Sequence, residues 1–518
     1  MLFARLAETS AALAATRSRL EKRALLAATL READDAEADV VATYLSGRVR
    51  QRRTGLGWRT LADLPAPAAA PTLTPTEVDE RLERIAALSG AGSQAGRAAA
   101  VAELFGALTA EEQQHLRGLV LGEVRQGALD SLLIEAVADA SEVPVTAVRR
   151  AAMFSAFTGP VARAALTGGA AALEDFRPAV LQPVRPMLAS PAPDLTAALA
   201  KLRDDDGEVV AADGKIDGIR VQVHKAGDEV AVFTRSLDDI TERVPEIVQV
   251  VRTLPATDLI LDGEAIALAD DGRPRPFQET ASRTGSHESA GGTTPLTVYF
   301  FDLLHRDGTT LVTAPARERL AALEEVVPAS ALVPRLVSAD PAEIDTFFRE
   351  ILARGHEGLV LKDLDAPYDA GRRGAAWVKV KPRHTLDLVV LAVEWGSGRR
   401  SGLLSNIHLG ARDGDGFVML GKTFKGMTDE MLAWQTTRFL ELETGREGHV
   451  VHVRPEQVVE IAFDGVQRSP RYPGGVALRF ARVLRYRQDK TAAEADTLDA
   501  VRAVAGTPGN DEPSPNAP

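Results

Sequence analysis

A single proline-rich stretch, with a different hydrophobic period on either side of it, limits this chain's fold more than any other feature. Pro178, Pro183, Pro186, Pro191 and Pro193 crowd one segment. Proline fixes φ, lacks an N–H and pushes the preceding residue into extended conformations, so neither a helix nor a central strand runs through it. Before it, over residues 1–175, apolar residues recur at spacings of three and four, as in AVAELFGALTAEEQQHLRGLVLGEV. That period predicts an all-α domain, broken once by the Pro- and Ala-rich stretch Leu64–Thr76. The loop around Gly90 and Gly92 lacks GxGxxG spacing and reads as a turn leading into a helix. Over residues 176–385 the runs VQVHK, VAVFT, LILDGEAIAL and TVYFFDLL alternate with helical stretches such as ARERLAALEEVV, an α+β pattern. Over residues 386–490 LDLVVLAVEW, SNIHLGARD, GFVMLGKTF, VVEIAF and VALRFARVLRY predict a small β-barrel. Residues 491–518 carry few large apolar side chains and are expected to form a disordered acidic tail. A multidomain protein follows, as 518 residues also imply.

Composition removes several function classes. The chain has no cysteine, which excludes disulfides, thiol catalysis and Cys-ligated zinc. No run of about 18 apolar residues occurs, and Arg5 and Glu8 interrupt the first apolar stretch, so a cytoplasmic protein without a membrane anchor is expected. The net charge of −13 argues against a uniformly basic coat. Phosphate contacts are local, however, and Arg372, Arg373, Lys379, Lys381, Arg383, Arg399 and Arg400 cluster against only Asp387 and Glu394. The nine histidines show no metal-ligand spacing.

The chemistry centres on AADGKIDGIRVQVHK. Here Lys215, Asp217, Gly218 and Arg220 describe an amine set just before a half-buried strand. A lysine attacks phosphorus only when its pocket lowers its pKa, and Arg220 is the neighbour expected to crowd it. Gly218 is expected to let a nucleotide approach the backbone. In WVKVKP a period of two puts Lys379 and Lys381 on one face, aimed at one site. Glu264 in LDGEA and Glu357 in EGLVLK lie in strand-like contexts where a carboxylate needs a cation. Strict alternation sets Glu357 and Lys362 on opposite faces, so one of the two requires a strand irregularity. Taken alone, KxDG also describes a surface strand with a salt-bridged lysine, and Phe301 in VYFFDLL describes a core aromatic.

In order and separation KIDG, FTRSLDDIT, LILDGEAIAL, VYFFDLL, EGLVLK, WVKVKP and RYRQDK resemble the nucleotidyltransferase motifs of ATP-dependent DNA ligases, most closely the bacterial ligase B type. The resemblance spans nearly the whole chain. It implies a helical DNA-binding domain, an adenylation domain of the nucleotidyltransferase fold and an OB-fold domain. It also implies ATP as the substrate, Lys215 as the residue that carries AMP, and nicked double-stranded DNA as the partner, sealed by a monomer at the nucleoid. By the same resemblance Asp213, Arg220, Arg235, Glu264, Phe301, Arg373 (with Arg372 the alternative), Lys379 and Lys381 hold the nucleotide. Arg487 and Lys490, with Asp489, reach the leaving pyrophosphate, and Glu264 and Glu357 hold Mg²⁺ (or Mn²⁺). The family usually has glutamate where this chain has Asp213. An mRNA guanylyltransferase shares KxDG but does not need the helical third, and an NAD-dependent ligase needs a four-cysteine zinc module that this chain cannot build. A catalytically silent DNA clamp would have no use for Lys215, Glu264, Lys379 and Lys381 together.

Overall fold

A computed structural model describes the chain apart from residues 52–53, 91, 128–129, 204–207, 276–278, 282, 284–293, 370–372, 383 and 505–518, and describes only the backbone of Arg373 and Arg399. Two compact units result. One joins residues 1–190 and 199–379, and the other joins 191–198 with the chain from 380 onward.

In the first unit, helices run from Ala4–Ala15 to Thr158–Leu173 around one core that includes Leu6, Leu30, Val41, Phe105 and Leu133. Local chemistry sets several of their starts. Thr74 and Glu77 form a reciprocal capping box at the head of Pro75–Ala87, and Thr109 and Glu112 do the same for Ala110–Leu121.

The catalytic part of this unit holds two five-stranded sheets. One runs β1 (Leu188–Pro191), β10 (Arg373–Val380), β9 (Gly358–Asp363), β2 (Val210–Lys215) and β8 (Arg335–Ser338). The other runs β4 (Glu229–Thr234), β3 (Ile219–Ala226), β5 (Asp258–Ala267), β6 (Leu296–Arg306) and β7 (Thr309–Thr310). Val221 and Val223 of β3 face the core of the second sheet, against Val232, Leu261 and Phe300. The opposite face of β3 carries Arg220, Gln222 and His224, and the reading of a half-buried strand fails there. Gln222 and His224 are 4% and 0% exposed.

The proline-rich segment covers that face as a strap. The Leu181 N–H donates to His224 Nδ1 (3.0 Å), the Val184 N–H donates to Gln222 Oε1 (2.7 Å), and Gln222 Nε2 donates back to the Val184 carbonyl (3.0 Å). Alternate side chains of one strand thus satisfy the backbone of residues 181–184, which lie in no strand, just before the segment enters the sheet as β1. On its outer side Arg185 donates to the Ser155 carbonyl and the Thr158 hydroxyl, both at 2.9 Å. The strap therefore ties the helical region to the catalytic sheets.

The second unit is built on β11 (His384–Trp395), which pairs with β12 (Leu404–Asp413), β15 (Val450–Val453) and β16 (Val458–Phe463). β13 (Gly416–Thr423), β14 (Glu443–Glu447) and the strand Arg482–Arg487 extend the ladder outward. This is an OB-like arrangement, but no pairing among the described residues closes it, so the expected barrel is an open, curved sheet. The expectation of a disordered tail over residues 491–518 needs correction up to residue 504, and 505–518 lie outside the described residues. Leu498–Val504 is a helix whose Leu498 and Val501 are buried in the core of this unit, and the Asp387 N–H donates to the Asp496 carboxylate (2.7 Å). Val504 packs partly buried against the same core, so three apolar side chains dock this short helix. Among the described residues no helix is long and apolar enough to cross a membrane.

Candidate active site

Both catalytic sheets contribute to one cavity, with about 870 Å³ of empty volume including its mouth, inside the range typical of ligand sites. Asp213, Lys215, Arg220, Arg235, Glu264, Phe301 and Lys379 all line it. Lys215 ends β2, paired in register with Gly358 at the start of β9. Glu357 is thereby brought beside it, donating its N–H to the Lys215 carbonyl (2.9 Å) and pairing its carboxylate with Nζ. The irregularity that alternation demanded lies at Gly358, whose φ of +147° turns Glu357 toward the lysine before the strand begins.

Charge at Lys215 differs from the sequence expectation. Burial works against the ammonium, but Glu357, Glu264 and Asp217 outweigh it and hold the pKa above the ordinary lysine value. Arg220 does not crowd the lysine. Its guanidinium is bidentate to Asp262 (3.0 and 2.6 Å) and also donates to Tyr368 Oη (3.2 Å). Glu264 lies directly across the sheet from Arg220, and burial pushes its carboxyl up to about 7 although Lys215 and Arg220 pull the other way.

Gly218 also serves another purpose than the one expected. A Cβ there would lie 2.3 Å from the Ala265 carbonyl and 2.9 Å from Glu264 Cγ. The missing side chain makes room for β5 and for Glu264.

The floor of the cavity is a buried ionic network. Asp213 accepts two bonds from Arg335 (2.5 and 3.0 Å) and pairs with Lys362 Nζ (2.7 Å), which also donates to the Phe301 carbonyl (2.8 Å). Burial raises the Asp213 pKa, but Arg335 and Lys362 win and hold it below the usual carboxylate range. Lys362 lies 4.6 Å from the centre of the Trp377 ring and 5.0 Å from that of Phe301. On β10, Trp377 and Lys379 share the face that lines the cavity, as a period of two requires.

Three family models match this chain. They are the ATP-dependent DNA ligase domain at residues 186–381, the ATP-dependent DNA ligase C-terminal region at 400–490, and the DNA ligase N terminus at 65–138. A probable DNA ligase of Beutenbergia cavernae is 63% identical over 98% of this chain and all of its own length. One of Kineococcus radiotolerans is 60% identical over 98% of this chain and all of its own. The chain belongs to the ATP-dependent DNA ligase family. A solved structure titled Pmar-Lig_PreS3 resembles the ligase in fold, with a TM-score of 0.62 at 17% identity, covering 93% of this chain and 99% of that one.

Three expected site residues belong to the second unit. Lys381 falls one residue past the end of β10, where alternation no longer governs it, and pairs with Asp464 (3.5 Å). Arg487 and Lys490 are held within the second unit, both bonded to Asp387 (2.9 and 2.6 Å), with Arg487 also on Asp489 (2.6 Å). Arg372 and the Arg373 side chain lie outside the described residues. Lys362, Arg335 and Trp377 were missed as site residues. Lys362 and Trp377 stood in motifs already recognised, whereas nothing around Arg335 in sequence marks it.

Proposed function

We propose that this ligase seals 5′-phosphate/3′-hydroxyl nicks in duplex DNA through an AMP carried on Lys215. The observation that carries the reading is Lys215 at the end of β2, inside a nucleotide-sized cavity, with Nζ paired to Glu357. Lys215 must shed a proton before its lone pair attacks the α-phosphorus, and Glu357 Oε2 is the atom placed to take it. The new N–P bond forms as the P–O bond to pyrophosphate breaks, and the leaving group takes that electron pair. A 5′-phosphate oxygen of the nick then attacks the same phosphorus, the N–P bond breaks and Lys215 is protonated again. The 3′-hydroxyl finally attacks the 5′-phosphorus and expels AMP.

Phe301 and Trp377 offer aromatic surface for the base, Arg235 lies at the mouth, and Lys379 supplies positive charge for the phosphates. Asp213 acts through the floor: its oxygens are engaged by Arg335 and Lys362, so its part is to orient Lys362. Glu264 and Glu357 suit Mg²⁺ (or Mn²⁺), an ion usually held by one or two carboxylates with substrate phosphates, and no group of three acids or histidines gathers among the described residues. Once bound there, such an ion would offset the charge of the phosphates. The pyrophosphate role of Arg487 and Lys490 requires that they first leave Asp387. A monomer acting at the nucleoid in the cytoplasm completes the reading.

The test is incubation with radiolabelled ATP or GTP, then with nicked DNA. Label from ATP should appear on the protein and vanish in Lys215→Ala. Label retained in that variant would place the nucleophile elsewhere, and preference for GTP would favour the guanylyltransferase alternative.

A further inference from the structure

Two cations in the second unit share one buried acid. Asp387, near the start of β11, accepts from Arg487 Nη1 (3.2 and 2.9 Å) and from Lys490 Nζ (2.6 Å). The cations are more open than the acid, with side chains 15% and 30% exposed against 11% for Asp387. Asp489 takes the other edge of Arg487, through Nε (2.9 Å) and Nη2 (2.6 Å). Two positive and two negative charges thus balance inside one unit.

Backbone bonds fix the acid independently of its cations. The Asp387 N–H donates to the Asp496 carboxylate (2.7 Å), the Asp496 N–H donates back to the Asp387 carbonyl (2.8 Å), and the Arg412 N–H donates to the Asp496 carbonyl (3.0 Å). Asp387 therefore keeps its place whether or not a cation sits on it. Arg487 is the last residue of the strand Arg482–Arg487 and Lys490 follows the turn after it, so both are long side chains that can change rotamer without breaking the sheet. A carboxylate this enclosed is costly to leave without a cation, so the two cations return to it unless a stronger anion competes. The β- and γ-phosphates of ATP are such an anion, because together they carry more charge and more acceptor oxygens than one carboxylate.

We propose that Asp387 is a positioning residue that holds Arg487 and Lys490 as a pair between adenylation events, yields them to the β- and γ-phosphates of ATP, and takes them back once pyrophosphate has left. The inference rests on the reading in which those two cations meet the pyrophosphate. Charging of Lys215 then becomes a competition, since the triphosphate displaces a carboxylate instead of meeting open cations. Asp387 raises the ATP concentration at which the enzyme charges itself, and by the same competition it speeds the departure of pyrophosphate. The C-terminal segment takes part through Asp496, which sets the backbone of Asp387.

The test follows single-turnover transfer of label from ATP to the full chain, over a range of ATP concentrations, in the parent, D387N and D387E. Pyrophosphate is then added to each charged chain to drive the reverse reaction. In D387N the half-saturating ATP should fall about fivefold, the upper scale of a part-exposed ion pair, with the limiting rate changed by less than about twofold. Pyrophosphate should discharge D387N at a concentration lower by a similar factor, and D387E, which keeps the charge, should stay close to the parent. A pair that only holds the fold together predicts the opposite sign, so a higher half-saturating ATP or a slower limiting rate in D387N would overturn the proposal, as would an unchanged value. D387E behaving like D387N would overturn it by removing charge as the cause. Loss of sealing by D387N on a nick supplied already adenylated would also overturn it, by making Asp387 a support of the second unit. Unchanged charging in the double variant Arg487→Ala, Lys490→Ala would instead sink the pyrophosphate role on which the inference rests.

Discussion

Replacing Lys362 with methionine should loosen the floor of the nucleotide cavity by about 2 kcal/mol, a value that follows from its partners. Lys362 is 1% exposed, and removing one member of a buried ion pair costs about 3–5 kcal/mol when the other charge is stranded. Asp213 would not be stranded, because Arg335 still holds both of its oxygens. The Phe301 carbonyl likewise keeps the Arg335 Nη2 bond (3.1 Å). The penalty therefore sits below that range. The cation over Trp377 and Phe301 is also lost, worth about 0.5–2 kcal/mol, but a thioether against the same rings recovers about 0.3–1.5 kcal/mol. Global unfolding of a multidomain chain is not two-state, so the effect is best read locally, by native-state hydrogen exchange of the Val210–Lys215 amides. A loss of about 2 kcal/mol corresponds to roughly thirtyfold faster exchange. The affinity for ATP should fall alongside, since Asp213 and Lys362 line the cavity. Exchange altered by less than about threefold, or slowed, would refute the view that Lys362 holds the floor together.

Three further outcomes are expected. His224 is buried and its pKa is pushed down to about 3 by burial, with His305 adding to the effect, so the folded chain keeps it neutral. Its contribution to stability is complete above about pH 6.5 and declines as the pH falls toward 3; in His224→Gln the loss of opening free energy between pH 6.5 and 4, read from hydrogen exchange of the Ile219–Ala226 amides, should be shallower by up to about 1.4 kcal/mol per pH unit, and an unchanged slope would contradict this. The Glu264 pKa, raised to about 7 chiefly by burial, lies above its unfolded value, so stability is lost as the pH rises from 4.5 through 7. Because Glu264 lines an open cavity, Glu264→Gln should stabilise the protein at pH 8 by only about 1 kcal/mol while slowing adenylation, and a lower melting temperature would count against the argument. Deleting the chain after Lys490 should destabilise the second unit by about 3–5 kcal/mol through the loss of buried Leu498 and Val501, measured against a chain cut after Val504; equal midpoints would show that the helix contributes nothing.

Much of the catalytic chemistry was legible in the order of residues. The period of two that set Trp377 and Lys379 on one face needed only backbone geometry, and it holds to the end of β10. The helical third was equally legible, because its apolar spacing and capping boxes are local. What the sequence concealed depends on partners far along the chain. Alternation in IRVQVHK described a strand with one wet face, yet Gln222 and His224 are buried because the strap covers them. Asp213 lies 122 residues from Arg335, its bidentate partner, and no local pattern relates the two. Lys381, Arg487 and Lys490 looked like open cations until Asp464 and Asp387 came alongside. Periodicity fixes which side of an element a residue occupies, because pitch and pleat are backbone properties. Whether that side meets water, a carboxylate or a nucleotide is decided only when distant segments pack, since burial and pairing energies belong to the assembled neighbourhood and to no residue alone.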